Sequence, residues 1–299
     1  MVVATAALCT FLWGSAVPAV KVGYELFGIV PTDTPSLLLF AGARFVAAGM
    51  LLLGYALLTG RTIVLDGRGM AQVSLLGLVS TAIQYLFYYI GLAHSTGVKV
   101  SIVTSTSTFF SVLLAHFIYS NDRLTLRRSL GCLLGFAGVV VVNLAGAGLD
   151  LSFTLLGEGF IIIAALMFSA AGIYGKRVSR QVDPIVMTGW QLGLGGAILV
   201  GAGLGMDGHF GRFELDSALL LAYLAVVSAA AFTLWSVLMK HNPVGSVAIF
   251  NTLIPVFGVL LSGLVLGESV FEWKNLAALV LVSAGIWMVT AGRDGGVRQ

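Results

Sequence analysis

The sequence is poor in charged residues. Asp, Glu, Lys and Arg make up 10% of its 299 residues, whereas apolar residues make up 58%. Ordinary soluble domains carry about 25% charged residues, and a soluble chain with so few would expose large apolar patches and aggregate. This shortage of charge excludes the soluble globular class and predicts an integral membrane protein.

Cysteine is also scarce, and several other signals are missing. The two cysteines, Cys9 and Cys132, lie far apart in apolar runs, so we expect two inert thiols and neither a disulfide nor a metal site. We expect no cofactor. The net charge of +3 comes from scattered basic residues, which predicts no nucleic-acid partner. No basic segment precedes the first apolar run, so we interpret that run as a membrane span and not as a cleaved signal.

What the chain has instead is a series of long apolar runs. A helix needs about 20 mostly apolar residues to cross a bilayer. The sequence contains ten such runs, at 2–23, 35–58, 70–92, 98–119, 127–145, 155–175, 184–204, 216–239, 244–266 and 273–292. The connections between them are too short for a separate soluble domain. The pattern predicts an all-α integral membrane protein with ten transmembrane helices.

The distribution of Lys and Arg predicts the orientation in the membrane. With the N-terminus in the cytoplasm, eleven of the sixteen basic residues fall in inner connections and the C-terminal tail. Four fall in outer connections, and Arg44 is left inside a span. Because basic residues concentrate on the cytoplasmic side, we expect a multi-pass protein of the inner (plasma) membrane with both termini cytoplasmic.

An internal repeat divides the chain into predicted halves at 1–148 and 149–299. A shift of 147 residues places Tyr88 on Trp235 and Ala137-Gly138 on Ala284-Gly285. Coincidence between apolar segments is the alternative explanation. Each half has five spans, an odd number, so two true repeats would be inverted in the membrane. Inverted repeats around a site near the midplane are characteristic of secondary transporters.

Several short motifs carry a resemblance to a known family. Trp13-Gly14-Ser15, a proline-containing ninth span that ends in Gly267-Glu268, and Ala284-Gly285 in the tenth span resemble the drug/metabolite transporter superfamily, EamA type. The chain is most similar to the YddG-like bacterial exporters of aromatic amino acids. The first half departs from the family pattern, because Ser105 to Thr108 and Asn121-Asp122 replace the usual proline and Gly-Glu. The resemblance implies a central cavity between spans one to four and six to nine, with spans five and ten peripheral.

Polar and aromatic residues within the spans are the candidates for the transport site. Polar side chains inside a membrane usually face the protein interior or a water-filled pathway. Ser101, Thr104, Thr108 and Ser111 follow the 3-4-3 spacing of one helical stripe, although such hydroxyls also bond the carbonyls four residues back. Aromatic rings can stack on flat ligands, and core packing is the alternative for each ring. The predicted substrate-binding residues are Trp13, Ser15, Ser80, Gln84, Tyr88, Ser101, Thr104, Thr108, Phe168, Trp235 and Asn251, and the predicted hinge residues are Pro255 and Gly14.

The ionisable residues predict the driving force. None of the thirteen acidic residues lies in the middle of a span, and intramembrane carboxylates are common proton relays. We therefore expect weak or absent proton coupling. Whether Lys21 or His116 acts in transport is left open by the sequence.

The leading interpretation is a facilitative secondary transporter, not an enzyme, that exports small amphipathic metabolites by alternating access. We expect aromatic and other apolar amino acids as substrates, contact with membrane lipids, and a monomer. The alternatives are an exporter of drugs or other cationic compounds and a nucleotide-sugar-type carrier of the same superfamily. An intramembrane enzyme is the alternative from a different class.

Overall fold

The computed structural model describes residues 2–118, 125–142, 153–242 and 249–290, which are helical throughout apart from short connections. These residues form ten helices, numbered here in chain order. They are α1 (Val2–Phe27), α2 (Thr34–Leu58), α3 (Gly67–Ala93), α4 (Gly97–Ile118), α5 (Leu126–Val142), α6 (Leu155–Val178), α7 (Pro184–Gly205), α8 (Leu215–His241), α9 (Leu253–Leu266) and α10 (Trp273–Thr290).

Each predicted span overlaps one of these helices. Seven of the described helices are long and apolar enough to cross a membrane on length and composition, and α9 and α10 count as shorter apolar helices. The all-helical membrane class is therefore confirmed. The predicted boundary between the halves at 148/149 lies outside the described residues, as does Asn121-Asp122. The inverted repeat stays a prediction.

Acidic residues sit at helix starts for a local reason. The carboxylates of Asp33, Asp66 and Asp183 accept hydrogen bonds from backbone N–H groups in the first turns of α2, α3 and α7. The first four N–H groups of a helix have no partner within the helix, and an N-cap side chain supplies one.

Two of the helices are irregular near their middles. In α3 a π-helical turn, Leu78–Ile83, separates two α-helical segments. In α4 the α-helix is interrupted at Ser105, between segments that end at Thr104 and begin at Thr106. π-turns inside helices are frequent at functional sites. Ser105 lines the cavity described below, and the π-turn ends directly before Gln84, which also lines it.

Glycine allows two helix pairs to approach closely. α2 packs along α7, and α5 packs along α10. A Cβ atom added to Gly49 would lie 2.6 Å from the backbone nitrogen of Gly193, and one added to Gly285 would lie 2.6 Å from the carbonyl oxygen of Gly131. Such contacts fit the high glycine content, because small residues let membrane helices pack backbone to backbone.

The remaining contacts follow a regular pattern. α1 packs against α8 and α9, and α6 packs against α3 and α4. If five is added to every helix number, and numbers above ten restart at one, the pairs α1–α8 and α1–α9 become α6–α3 and α6–α4. The pairs α2–α7 and α5–α10 are each converted into themselves.

Candidate functional site

A cavity lies between α1, α2, α3, α4, α6 and the start of α9. Its empty volume is about 850 Å³, counting the solvent-open space at its edge. Neither α5 nor α10 contributes to its lining, as the resemblance implies. The resemblance implies that α7 and α8 should also line the cavity, but they do not. α7 packs against α2 and α8 packs against α1, and it is α1 and α2 that contribute lining residues.

One side of the cavity is aromatic. Trp13, Phe168, Tyr85 and Tyr88 all line it. The ring of Trp13 meets that of Phe168 edge-on at 6.1 Å between centroids, and Tyr85 and Tyr88 lie 5.6 Å apart. Edge-to-face contacts fix the ring orientations, so a flat ligand would meet aromatic surfaces that are already in place.

Polar atoms without partners lie on the same cavity. Within the described chain, Gln84 Oε1, Thr104 Oγ1 and Asn251 Oδ1 are buried and accept or donate no hydrogen bond, and all three residues line the cavity. A buried polar group without a partner costs about 1–3 kcal/mol. A ligand with N–H or O–H groups would recover that cost, so these atoms are suited to hold one.

Local backbone structure places these polar residues. Gln84 begins the α-helical segment directly after the π-turn of α3, and Thr104 is the last residue before the interruption of α4. Asn251 lies in the 3₁₀ turn Ile249–Thr252 that precedes α9.

Arg44 also lines the cavity, from the middle of α2. Its side chain is only 2% exposed. The guanidinium donates from Nε to Ser228 Oγ at 2.7 Å and from Nη1 to the hydroxyl of Tyr89 at 3.1 Å, and it lies 5.0 Å from the ring centroid of Phe45. Sequence reasoning left Arg44 out of the predicted site. The available signal was that it is the one basic residue inside a predicted span.

Eight of the eleven predicted substrate-binding residues line the cavity: Trp13, Gln84, Tyr88, Ser101, Thr104, Thr108, Phe168 and Asn251. The other three lie behind its wall. Ser15 Oγ is 2.7 Å from the hydroxyl of Tyr223, and Ser80 Oγ accepts from Nε2 of Gln191 at 2.6 Å. The ring of Trp235 lies 5.0 Å from that of Trp13. A role in binding stays a prediction for all eleven.

The stripe of hydroxyls on α4 contains both kinds of hydroxyl that the sequence left open: some that bond a backbone carbonyl four residues back, and one on the cavity without a partner. Ser101 and Ser111 donate to the carbonyls of Gly97 and Ser107, four residues back. Thr104, between them, makes no such bond and keeps its hydroxyl unpaired. Thr104 is therefore a member of the stripe whose hydroxyl is not taken up by the helix backbone.

The predicted hinge residues lie on α1 and α9, two helices that pack against each other. Pro255 is the third residue of α9, so it lies in the first turn, where a missing N–H is tolerated, and not in mid-helix. A Cβ atom on Gly14 would lie 2.7 Å from Cβ of Phe257 and 3.0 Å from the nitrogen of Gly258. Gly14 is thus required for close packing, and hinge motion at either residue stays a prediction.

A second polar cluster surrounds the start of α4; we call it the Glu268 end. Glu268 accepts from the backbone nitrogens of Gly97 and Val98 at 2.8 and 2.7 Å, and Lys21 Nζ lies 3.9 Å from its carboxylate. Beside it, Glu158 accepts from Ser95 Oγ at 2.6 Å. Lys21 therefore belongs to this structural cluster.

His116 lies near the opposite end of α4. Its ring meets that of Phe117 at 5.1 Å. Across the described ranges, no three His, Cys, Asp or Glu side chains come together as potential metal ligands.

Comparison with known proteins gives a consistent family. The model of the EamA-like transporter family matches residues 1–144 and, a second time, residues 155–291. An uncharacterized transporter of Synechocystis, sll0355, is 27% identical over 89% of this chain and 84% of its own length. The uncharacterized inner membrane transporter YedA of Escherichia coli K12 is 24% identical over 94% and 88%. One solved protein structure superimposes with a TM-score of 0.70 at 20% identity over 98% of both chains, a likeness of fold alone.

Proposed function

Because the chain belongs to the EamA-like transporter family, we propose that it is a facilitative carrier that exports aromatic and other apolar amino acids. The observation that carries this proposal is the cavity, which is lined by aromatic rings and by residues with a buried polar atom that has no partner. Sites for small amphipathic molecules combine an apolar lining with a few convergent polar groups. The proposed subtype is that of the bacterial aromatic amino-acid exporters.

The proposed architecture is two inverted five-helix repeats. Two separate matches to the family model support it, as do the helix contacts that recur after an advance of five helices. Lys and Arg favour placing both termini in the cytoplasm, and the relative YedA is named an inner membrane transporter. A monomer in the inner membrane is the simplest form of this proposal.

Alternating access would follow from motion of α1 and α9 at their contact. Gly14 packs against Phe257 and Gly258 of α9, and Pro255 lies in the first turn of the same helix. Hinges commonly use a few terminal helix residues that absorb backbone change. The test is Pro255→Ala in reconstituted protein. A slower turnover with an unchanged thermal-unfolding midpoint supports the hinge, and an unchanged rate contradicts it.

Two other substrate classes fit the cavity less well. A cationic drug would be expected to meet a carboxylate, and among the described lining residues there is none. A nucleotide sugar needs several basic side chains for its phosphates, and Arg44 is the one basic residue on the described lining. The family is one of transporters, so the intramembrane enzyme is not carried further.

The deciding experiment is uptake of radiolabelled compounds into proteoliposomes that contain the purified protein. The panel includes aromatic, aliphatic and charged amino acids, a cationic drug and a nucleotide sugar. Saturable uptake of aromatic amino acids, competed by unlabelled apolar ones, supports the proposal. Uptake of the drug or of the nucleotide sugar, without the amino acids, contradicts it.

The same vesicles test the driving force. No carboxylate lines the described part of the cavity, so we expect uptake to follow the substrate gradient alone. A strong stimulation by an imposed pH gradient would contradict facilitated transport.

A further inference from the structure

Arg44 is a buried charge whose contacts are neutral. Its hydrogen bonds go to two hydroxyl groups, those of Ser228 and Tyr89. Within the described part of the chain, no Asp or Glu forms an ion pair with it. A guanidinium keeps its proton in proteins, so the charge remains, and an unpaired charge inside a membrane protein is costly.

The guanidinium also has donors to spare on the cavity. Arginine carries five N–H donors, and the two hydrogen bonds use two of them. Ser228 is itself engaged, since its hydroxyl donates to the carbonyl of Leu224 at 2.8 Å. Because the residue lines the cavity, a ligand there lies beside a side chain that has unused donors.

We infer that Arg44 binds the carboxylate of the transported molecule, and that the cavity therefore selects substrates carrying one; the inference rests on the proposed function. The planar fork of arginine matches the two oxygens of a carboxylate, and such pairs are among the strongest hydrogen bonds in proteins. The same charge repels cationic compounds. The unpaired carbonyl oxygens of Gln84 and Asn251 are acceptors for an ammonium group, which a zwitterionic amino acid supplies.

The first test uses wild-type protein and three ligands with the same ring. Thermal unfolding of the purified transporter is followed with L-phenylalanine, with phenylpropionate, which lacks the amine, and with phenylethylamine, which lacks the carboxylate. A bound ligand raises the unfolding midpoint. We expect both carboxylates to raise it and phenylethylamine to bind about tenfold more weakly or worse. Equal stabilisation by phenylethylamine, or none by either carboxylate, overturns the inference.

The second test supplies an internal counter-ion while leaving Arg44 in place. Ser228→Asp puts a carboxylate next to the guanidinium, and Ser228→Asn is the control of equal size without charge. The aspartate variant should fold and lose about ten- to a hundredfold in affinity for phenylpropionate, whereas the asparagine variant should keep the wild-type preference. If Arg44 were only structural, both variants would bind alike, and that result overturns the inference.

Direct substitution adds a third comparison. Arg44→Gln should abolish the preference for carboxylates, and Arg44→Lys should keep part of it, because lysine retains the charge without the fork. The control is Arg61→Gln, at an arginine that pairs with Asp183 away from the cavity. If the unfolding midpoint rises with chloride concentration alone, an inorganic anion occupies the site, and the assignment of a carboxylate to Arg44 is overturned.

These outcomes separate the inference from the proposed function. If carboxylates bind through Arg44 but the amino acids are not transported, the proposed function fails and the inference stands. If aromatic amino acids are transported and phenylethylamine competes equally, the inference fails and the proposed function stands.

Discussion

Two regions of the described structure that bury charged and polar groups differ in how those groups are paired. At the Glu268 end, the carboxylates of Glu268 and Glu158 accept hydrogen bonds from backbone and side-chain donors and lie near lysines. In the cavity, the described hydrogen-bond partners of Arg44 are neutral, and Gln84 has an unpaired oxygen. Buried polar groups in folded proteins are normally satisfied, so the first region follows the rule and the second departs from it.

The difference separates structural from functional polarity. A satisfied group stabilises the packing around it, and its removal leaves its partners without theirs. An unsatisfied group stores a cost that a ligand can recover, so its removal should spare the fold and impair binding. The two regions therefore predict opposite responses to similar substitutions.

The largest effect is expected at Glu158. Its carboxylate is 3% exposed, accepts from Ser95 Oγ and from the backbone nitrogen of Thr154, and lies 3.7 Å from Lys99 Nζ. Glu158→Ala should lower the free energy of unfolding by about 3 kcal/mol, because it leaves buried donors without an acceptor. Thermal unfolding in detergent measures this effect.

The control for Glu158 is Glu272→Ala. Glu272 pairs with Lys274 at 2.9 Å, but its side chain is 46% exposed. An exposed ion pair contributes at most about 1 kcal/mol, so this variant should unfold close to the wild-type midpoint. Equal losses in the two variants would contradict the distinction between buried and exposed carboxylates.

A smaller, local effect is expected at Glu268. Its two oxygens accept from the nitrogens of Gly97 and Val98 in the first turn of α4. Glu268→Gln keeps one acceptor and removes the charge that favours a helix N-terminus, at a cost of about 1–2 kcal/mol. Hydrogen–deuterium exchange should accelerate at these two amides and stay unchanged in α7. Unchanged protection at the start of α4 would show that the carboxylate does not cap it.

Two buried glutamines test the comparison directly. The Gln191 amide donates to Ser80, whereas Gln84 Oε1 on the cavity has no partner. Gln191→Leu should destabilise the protein by about 1 kcal/mol. Gln84→Leu should leave the unfolding midpoint unchanged or raise it, and should reduce uptake of aromatic amino acids. If Gln84→Leu destabilises as much as Gln191→Leu, its amide is structural.

Most of the fold could be predicted from the sequence. Apolar runs of bilayer length located the helices, and the family resemblance to the EamA type is confirmed by the family model. Helix ends at Asp33 and Asp183 follow from capping chemistry that is local in the sequence. The irregularities at Leu78–Ile83 and Ser105 could not be predicted, because they depend on packing against other helices and not on local composition.

The residues of the site could also be predicted in part from the sequence. A polar residue in a span signals a buried environment, and Gln84, Thr104 and Asn251 carry that signal. The sequence does not show which buried hydroxyl finds a partner: Ser80 meets Gln191 and Ser15 meets Tyr223 across other helices. Arg44 was visible as a charge inside a span, but its lack of a carboxylate partner is a property of the assembled fold.

The smallest effect comes from two threonines on α4 that have different hydrogen-bond environments. Thr106 Oγ1 donates to the carbonyl of Val103 at 2.8 Å, whereas Thr104 Oγ1 is buried and unpaired beside the cavity. Valine replaces the hydroxyl with a methyl group of similar size. Thr106→Val should lower the free energy of unfolding by about 0.5–1 kcal/mol, and Thr104→Val should leave it unchanged or raise it by a few tenths.

Transport should respond in the reverse order. Thr104→Val should raise the KM for aromatic amino-acid uptake, while Thr106→Val should leave the KM unchanged, because Thr106 does not line the cavity. Matched thermal unfolding and uptake measurements on the two variants are sensitive to small differences, since both variants carry the same replacement on the same helix. If Thr104→Val and Thr106→Val change stability and KM in the same way, the unpaired hydroxyl of Thr104 has no role that the paired hydroxyl of Thr106 lacks.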